Sequence, residues 1–392
     1  MKPQESIGYR NNHYVPQWYQ RRFLQADARQ RELHYLSLQP QSIVDVKGIR
    51  RPVPQRRRRS LRDCFVEEDL YTLRFGGQIS TTVEQQFFGE IDRRGAKAVE
   101  WWGAFEHPSM DRDAIRDMTV YLSSQKLRTP KGLDWLSLTF SAVSDHERLR
   151  ALIELRTLFS TIWTESVWQL ADAAESTTKF IVTDHPVTVY NRFCGPRHES
   201  CRGANDPDIR QHAAHTIFPI DLNRVLILTN RSWALDPYQA PTALRPNPDF
   251  YRDSVFNILE VQTGRQLSER EVREINFILK SRAYRFIGAA EEEWLYPERH
   301  VSKSDWNRFG KGYLLMPDPQ DIHEGGETIL GYDDGRTEAF DSFGRRPWDT
   351  DYAGVHAEPT SNGNLQEFKD EFRLLFGEKP RGSGFHIGRQ PQ

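Results

Sequence analysis

Five polar side chains could carry out chemistry together: His13, Glu84, Gln125, Arg128 and Asp184. An imidazole with two carboxylates is a hard ligand set that suits Mg²⁺ or Mn²⁺ better than a thiolate-rich zinc site does. We therefore predict a metal site formed by His13, Glu84 and Asp184. The metal would polarise a phosphoryl oxygen and activate a water, while Arg128 would neutralise developing charge. This set predicts metal-dependent hydrolysis of phosphodiesters.

Each of these residues also has a structural interpretation. His13 lies just before a predicted helix and could bond its opening turn, and Glu84 follows Thr81 at the spacing of a capping box. Arg128 near a helix C-terminus compensates the helix dipole. Asp184 precedes a proline bend that an aspartate can order. The functional set therefore requires that side chains distant in sequence converge in space.

A run of arginines is the strongest basic patch in a chain whose formal net charge is −2. Such a run can bind a nucleic-acid backbone through phosphate contacts. The alternative is a solvated loop, and its prolines fit an extended arm under either interpretation. No Walker loop, dinucleotide-binding glycine pattern or Gly-x-Ser-x-Gly elbow occurs, which disfavours those enzyme classes. The nucleic-acid-binding residues that we predict are Arg56, Arg57, Arg58 and Arg59.

The elements that would position these residues follow from the spacing of apolar side chains. Helices are predicted near 16–24, 80–102, 111–128, 131–141, 146–175 and 268–284, the last with a capping box formed by Ser268 and Glu271. Strands are predicted as a pair within 33–47 and near 65–75, 180–182, 187–190, 216–220 and 224–228. Residues 50–62 and 191–212 read as loops. An Asp-Gly turn predicts a hairpin at about 325–342.

Four segments in this order resemble the N-terminal to central signature of the family known as domain of unknown function 4238. They are His13-Tyr14-Val15-Pro16-Gln17, the acidic helix with Glu84 and Asp92, Gln125-Lys126-Leu127-Arg128-Thr129-Pro130, and Thr183-Asp184-His185-Pro186. The last segment departs from the Ser-Asp-Asn-Pro of the family, because His185 replaces the asparagine. The resemblance spans about residues 12–290 and implies that these polar residues belong to one site of a bacterial-type protein.

We therefore expect an α+β fold, with a mainly helical middle packed on a small mixed or antiparallel sheet. Residues 1–299 would form the main domain, and 300–392 a C-terminal appendage with the hairpin and a loosely ordered tail. The leading hypothesis is a phosphodiesterase, with a nuclease of bacterial defence as one form. The alternatives are a nucleic-acid- or protein-binding module and a nucleotide-binding sensor without turnover.

The compartment is predicted from the terminus, the apolar runs and the cysteines. The N-terminus shows no secretory signal, and no apolar run is long enough to span a membrane. The chain has three cysteines, which do not suggest a disulfide framework. We therefore expect a cytoplasmic protein that does not associate with a membrane.

Overall fold

The computed structural model describes the chain over the following ranges: 11–26, 31–39, 42–44, 50–68, 70, 73–75, 78–80, 88–105, 112–141, 144–235, 240–245, 261–312, 328–331, 335–341, 346–349, 352, 367, 370, 373 and 374. The predicted capping box at Thr81 and Glu84 lies outside these residues. Within the described ranges, no helix combines the length and the apolar character needed to cross a lipid bilayer.

Helices fill the middle of the chain, as predicted. The first is short because Pro16 caps it and has no N–H to extend it upstream. The last begins with the predicted capping box, in which the Glu271 N–H donates to Ser268 Oγ and the Ser268 N–H donates to the Glu271 carboxylate. The helices are α1 Gln17–Arg21, α2 Gly89–Gly103, α3 Arg112–Arg128, α4 Pro130–Phe140, α5 Asp145–Thr164, α6 Arg231–Leu235 and α7 Glu269–Arg282.

The strands form two main sheets and several short pairs, which together with the helices confirm the α+β class. In chain order they are β1 Asn11–His13, β2 Glu32–Ser37, β3 Ser42–Val44, β4 Arg50–Pro52, β5 Arg56–Ser60, β6 Val66–Glu68, β7 Leu73–Phe75, β8 Gln78–Ser80, β9 Val167–Asp172, β10 Val182–Thr183, β11 Thr188–Tyr190, β12 His215–Pro219, β13 Arg224–Thr229, β14 Gln262–Gln266, β15 Phe286–Ala289, β16 Thr328–Gly331 and β17 Thr337–Phe340.

The larger sheet has the order β11-β12-β13-β9-β14, antiparallel except where β14 runs parallel to β9. The smaller sheet has the order β10-β15-β2-β5 and is antiparallel. Helices and sheets share one apolar core, in which the rings of Trp102 on α2 and Trp168 on β9 lie 4.6 Å apart. Trp163 of α5 joins them by donating from Nε1 to Thr216 on β12.

Three predicted elements were wrong in detail. The helix predicted over 146–175 ends at Thr164, because residues 167–171 are buried on both faces and pair between β13 and β14. The strands of 33–47 do not pair with each other: β2 lies between β15 and β5, while β3 pairs with β4. The arginine run is a strand and not a loop, since β5 pairs with β2 along its whole length.

The C-terminal hairpin is confirmed as β16 paired with β17, with Gly335 in the left-handed region at φ 82°. Before it, a 3-10 segment at Lys303–Gly312 packs against α7. There the rings of Trp306 and Phe309 lie 6.4 Å and 5.5 Å from Phe277. The domain boundary at 299 stays a prediction, although the shared core continues past it to Phe309.

Candidate functional site

Three of the four motif segments meet through Gln125 and Arg128, one turn apart on α3. Gln125 donates from Nε2 to the Tyr14 carbonyl at 2.8 Å and accepts at Oε1 from Arg128 Nε at 2.9 Å and Nη2 at 2.5 Å. Arg128 also forms a 2.6 Å ion pair with Asp92 on α2 and lies over the ring of Phe88. These contacts attach the N-terminal segment to the helices, and both side chains are buried.

His13 lies at the end of β1 and is half-buried. Its Nε2 lies 3.0 Å from the Arg62 carbonyl and 3.2 Å from Gln17 Nε2. Burial lowers the pKa of His13, so that the neutral ring dominates at neutral pH. The contacts match the structural interpretation, in which this ring holds the start of α1 against the chain near Arg62.

Asp184 follows β10 and is buried, and its carboxylate accepts three backbone hydrogen bonds. The donors are the N–H groups of Tyr284 at 2.8 Å, Arg285 at 2.5 Å and Phe286 at 2.9 Å, at the start of β15. Burial raises the pKa of Asp184, while these three donors oppose the rise. Asp184 would have to give up this arrangement before it could bind a cation.

The described members of the predicted metal set do not form a metal site as they stand. Glu84 lies outside the described residues, and the oxygens of Asp184 already face N–H donors. In the part of the chain that the structure describes, no group of three His, Cys, Asp or Glu side chains could hold a metal ion. The involvement of Mg²⁺ or Mn²⁺ therefore stays a prediction.

The arginines of β5 lie on an edge strand, where their side chains alternate between the two faces of the sheet. Arg56 pairs with Glu292, and Arg59 lies over the Tyr35 ring at 5.1 Å. Arg57 and Arg58 are exposed on opposite faces. The four arginines are therefore divided between the two faces of the sheet, with two on each face.

A second cluster, which the sequence analysis did not assemble, surrounds the carboxylate of Asp206 in the long polar loop. Lys126 Nζ at the end of α3 lies 2.9 Å from Oδ2, and Lys131 Nζ in the first turn of α4 lies 2.5 Å from Oδ1. His185 Nε2 lies 3.1 Å from Oδ2, and its Nδ1 lies 2.7 Å from the Thr129 hydroxyl, which caps α4 by accepting from a backbone N–H. With Nε2–H donating to Asp206, the neutral tautomer satisfies both ring nitrogens.

The cluster brings two buried lysines to one carboxylate and has a buried arginine nearby. Lys131 Nζ also contacts the carbonyl of Arg282, whose guanidinium donates to the Cys194 carbonyl at 2.6 Å. Arg282 Nε is buried and has no hydrogen-bond partner among the described residues. Lys126 and Lys131 therefore share the carboxylate of Asp206, while Arg282 lies close enough to lower the pKa of Lys126.

These charges perturb one another strongly. Burial alone would raise the pKa of Asp206, but Lys126 and Lys131 hold it well below its usual range. Burial lowers the pKa of Lys126, Lys131 and Arg282 lower it further, and Asp206 opposes both effects. Burial and the neighbouring Lys126 lower the pKa of His185 to about 3, so that His185 is neutral near pH 7.

The cluster forms one end of a cavity of about 400 Å³ between α3, α4, α5 and the loop at 200–211. Its other end is apolar and aromatic, with the rings of Trp135 and Phe159 6.3 Å apart. The polar end is lined by Lys126, Lys131, His185 and Asp206. The apolar wall consists of Trp135, Phe140, Leu155, Leu158 and Phe159. A cavity of this size, with one polar end and one apolar end, is typical of a small-molecule site.

A family model described as a protein of unknown function (DUF4238) matches residues 11–151 and 157–293. The chain belongs to this family. No curated protein and no solved structure matches it. Two of the motif segments expected from this family meet at the polar end of the cavity, since Lys126 of one and His185 of the other line it and Thr129 contacts His185.

Sequence reasoning noted His185 as a polar neighbour of Asp184 but did not single out Lys126, Lys131 or Asp206. Asp206 lies 80 residues from Lys126 in sequence. The available signal was the spacing of Lys126 and Lys131, which flank a Thr-Pro helix start and so bring two lysines to one helix junction.

Proposed function

We propose that this protein binds a small amphipathic anion in the cavity, with a carboxylate or phosphate group at the Lys126 end and an apolar body at the Trp135 end. The observation that carries the proposal is the pair of buried lysines that line the polar end of the cavity and share the single carboxylate of Asp206. Uncompensated buried charge is costly, so an anion at this end would stabilise the cluster. A protein that only binds and an enzyme that transforms the ligand would both use this geometry.

The apolar wall defines the rest of the ligand. Trp135, Phe140 and Phe159 present ring faces and edges within one cavity, which favours a flat ring or a branched alkyl group. The volume of about 400 Å³ accommodates a compound of the size of a phenyl-substituted acid. Inorganic phosphate alone would leave this wall without a partner.

Calorimetric titration with matched probes tests the proposal. We expect 3-phenylpropanoate or phenyl phosphate to bind, and the neutral 3-phenylpropanol to bind much more weakly. Lys126→Gln should weaken binding by roughly 10- to 100-fold, because it removes one charge-assisted hydrogen bond to the ligand. Lys97→Gln removes the same charge from an exposed position on α2 and serves as the control.

Equal binding of the alcohol and the acids would contradict the proposal, as would unchanged affinity in the Lys126→Gln protein. A difference between the two anions would identify the headgroup, because phosphate offers more oxygens to the two lysines than a carboxylate does. Circular dichroism of each variant verifies that the fold persists.

The exposed arginines of β5 favour a second candidate, contact with a nucleic-acid backbone. Arg57 and Arg58 are open to solvent, and each phosphate contact contributes about 0.9 to the salt slope of binding to double-stranded DNA. Replacing both with Gln should therefore lower that slope by about 1.8. The control removes two exposed arginines elsewhere, Arg150 and Arg308. An unchanged slope in the Arg57 and Arg58 variant would exclude this surface.

Metal-dependent phosphodiester hydrolysis remains the prediction from sequence. Its test is cleavage of bis(p-nitrophenyl) phosphate with Mg²⁺ or Mn²⁺, before and after chelation. Cleavage that EDTA abolishes would support it, and cleavage that is absent with both metals would contradict it.

A further inference from the structure

We propose that Lys126 is a nucleophilic amine and that the ligand of the cavity is a 2-oxo acid with an apolar side chain, which this amine captures as an imine. The inference deepens the proposed anion binding and rests on it. It names the chemistry of the headgroup as a carbonyl beside a carboxylate.

The position of Lys126 gives its amine access to a ligand. The side chain lines the cavity and is 11% exposed, while Lys131 beside it is 4% exposed. Lys126 Nζ lies 2.9 Å from Asp206, 3.2 Å from His185 Nε2 and 3.4 Å from the Val187 carbonyl. Lys131 Nζ is held by shorter contacts of 2.5 Å and 2.7 Å to Asp206 and the Arg282 carbonyl. Lys126 is therefore the more exposed lysine of the pair, and its contacts are the longer ones.

The surroundings of Lys126 lower the pKa of its amine below that of an exposed lysine. A lysine becomes nucleophilic when burial or a neighbouring cation disfavours its ammonium form. Burial lowers the pKa of Lys126, and Lys131 and Arg282 lower it further, against the opposing effect of Asp206. In a buried lysine without charged neighbours, burial alone would lower the pKa.

A 2-oxo acid matches the rest of the cluster. If Lys126 is neutral, the Lys131 ammonium still lines the cavity beside it, where it could contact a ligand carboxylate. The carbonyl of a 2-oxo acid is the next carbon along and would lie beside the Lys126 amine. The side chain would extend toward Trp135 and Phe159. A simple aldehyde would use the amine but would make no ionic contact with Lys131.

The step balances without an oxidant or a reductant. The Nζ lone pair forms a bond to the carbonyl carbon, and the carbon–oxygen π pair moves to oxygen. The two hydrogens of the amine leave as protons, the oxygen receives both and departs as water, and the carbon–nitrogen double bond remains. The Lys131 ammonium, which Asp206 holds at 2.5 Å, is placed to donate a proton to the departing oxygen and to recover one from the nitrogen.

Reductive trapping tests the inference. The full chain is incubated at neutral pH with phenylpyruvate and sodium cyanoborohydride, which reduces an imine to a stable secondary amine, and is then mapped by peptide mass spectrometry. Among the lysines, we expect one adduct per chain, located on Lys126. An ordinary lysine is unprotonated in only about one molecule in a thousand at neutral pH, so exposed lysines should label more slowly than Lys126.

Variants and a ligand without the ketone separate the possible failures. Lys126→Arg retains a long basic side chain but has no nucleophilic amine, and it should abolish the adduct. Lys97→Arg should retain the adduct, and excess 3-phenylpropanoate should slow labelling. If the Lys126→Arg protein does not fold, the position of the adduct in the wild-type peptide map tests the inference by itself. An adduct that is absent or spread over exposed lysines, while 3-phenylpropanoate still binds by calorimetry, overturns the imine alone. If neither acid binds, the proposed anion site fails as well.

Discussion

Replacing Asp184 with Ala should destabilise the protein strongly, because its carboxylate accepts the N–H groups of Tyr284, Arg285 and Phe286 at 2.5–2.9 Å. A hydrogen bond to a charged group contributes about 1.5–3 kcal/mol. The three donors are half-buried, so water can replace part of that contribution. We expect a loss of about 4 kcal/mol in the free energy of unfolding.

Urea denaturation followed by circular dichroism measures this loss. With slopes of about 1–3 kcal/mol per molar urea, the midpoint should fall by at least about 1 M. Asp134→Ala is the matched control: this exposed aspartate accepts from the Tyr284 hydroxyl at 2.6 Å and should cost less than about 1 kcal/mol. Equal midpoints for the two variants would refute the structural role that we assign to Asp184.

Two further predictions concern stability. Burial alone would raise the pKa of Glu269, but hydrogen bonds from Thr178 and its neighbours lower it from 4.5 to about 2. A depressed acid pKa contributes stability that is present above the unfolded value and lost as pH falls. The melting-temperature difference between wild type and Glu269→Gln should therefore shrink from pH 4.5 to pH 2, and a constant difference would contradict this. Gly132→Ala should cost about 1–3 kcal/mol in chemical denaturation, because its Cβ would meet the carbonyl oxygens of Lys126 and Leu127. Wild-type stability in Gly132→Ala would contradict the close approach of α3 and α4.

The elements that were predicted correctly are those that short sequence motifs specify. The Ser268 and Glu271 capping box and the Asp-Gly hairpin both occur as expected. The helix predicted through residue 175 failed, because a strand buried on both faces shows the same dense apolar run as a buried helix. Only the pairing of β9 with β13 and β14 distinguishes the two.

The polar segments were predicted to belong together, and several of them do contact one another. Gln125 reaches the Tyr14 carbonyl, and Thr129 reaches His185. These side chains form hydrogen bonds mostly with other residues of the protein, and the residue types alone do not predict those partners. The cluster at the cavity depends on Asp206, which lies 80 residues from Lys126, and no local sequence pattern predicts a contact over that distance.

The most direct test of the anion site is a crystal structure with 3-(4-bromophenyl)propanoate, whose bromine gives an anomalous signal. We predict the bromine between Trp135 and Phe159, with the carboxylate within hydrogen-bonding distance of Lys126 Nζ. A bromine peak elsewhere on the protein, or a carboxylate directed at the apolar wall, would contradict the account.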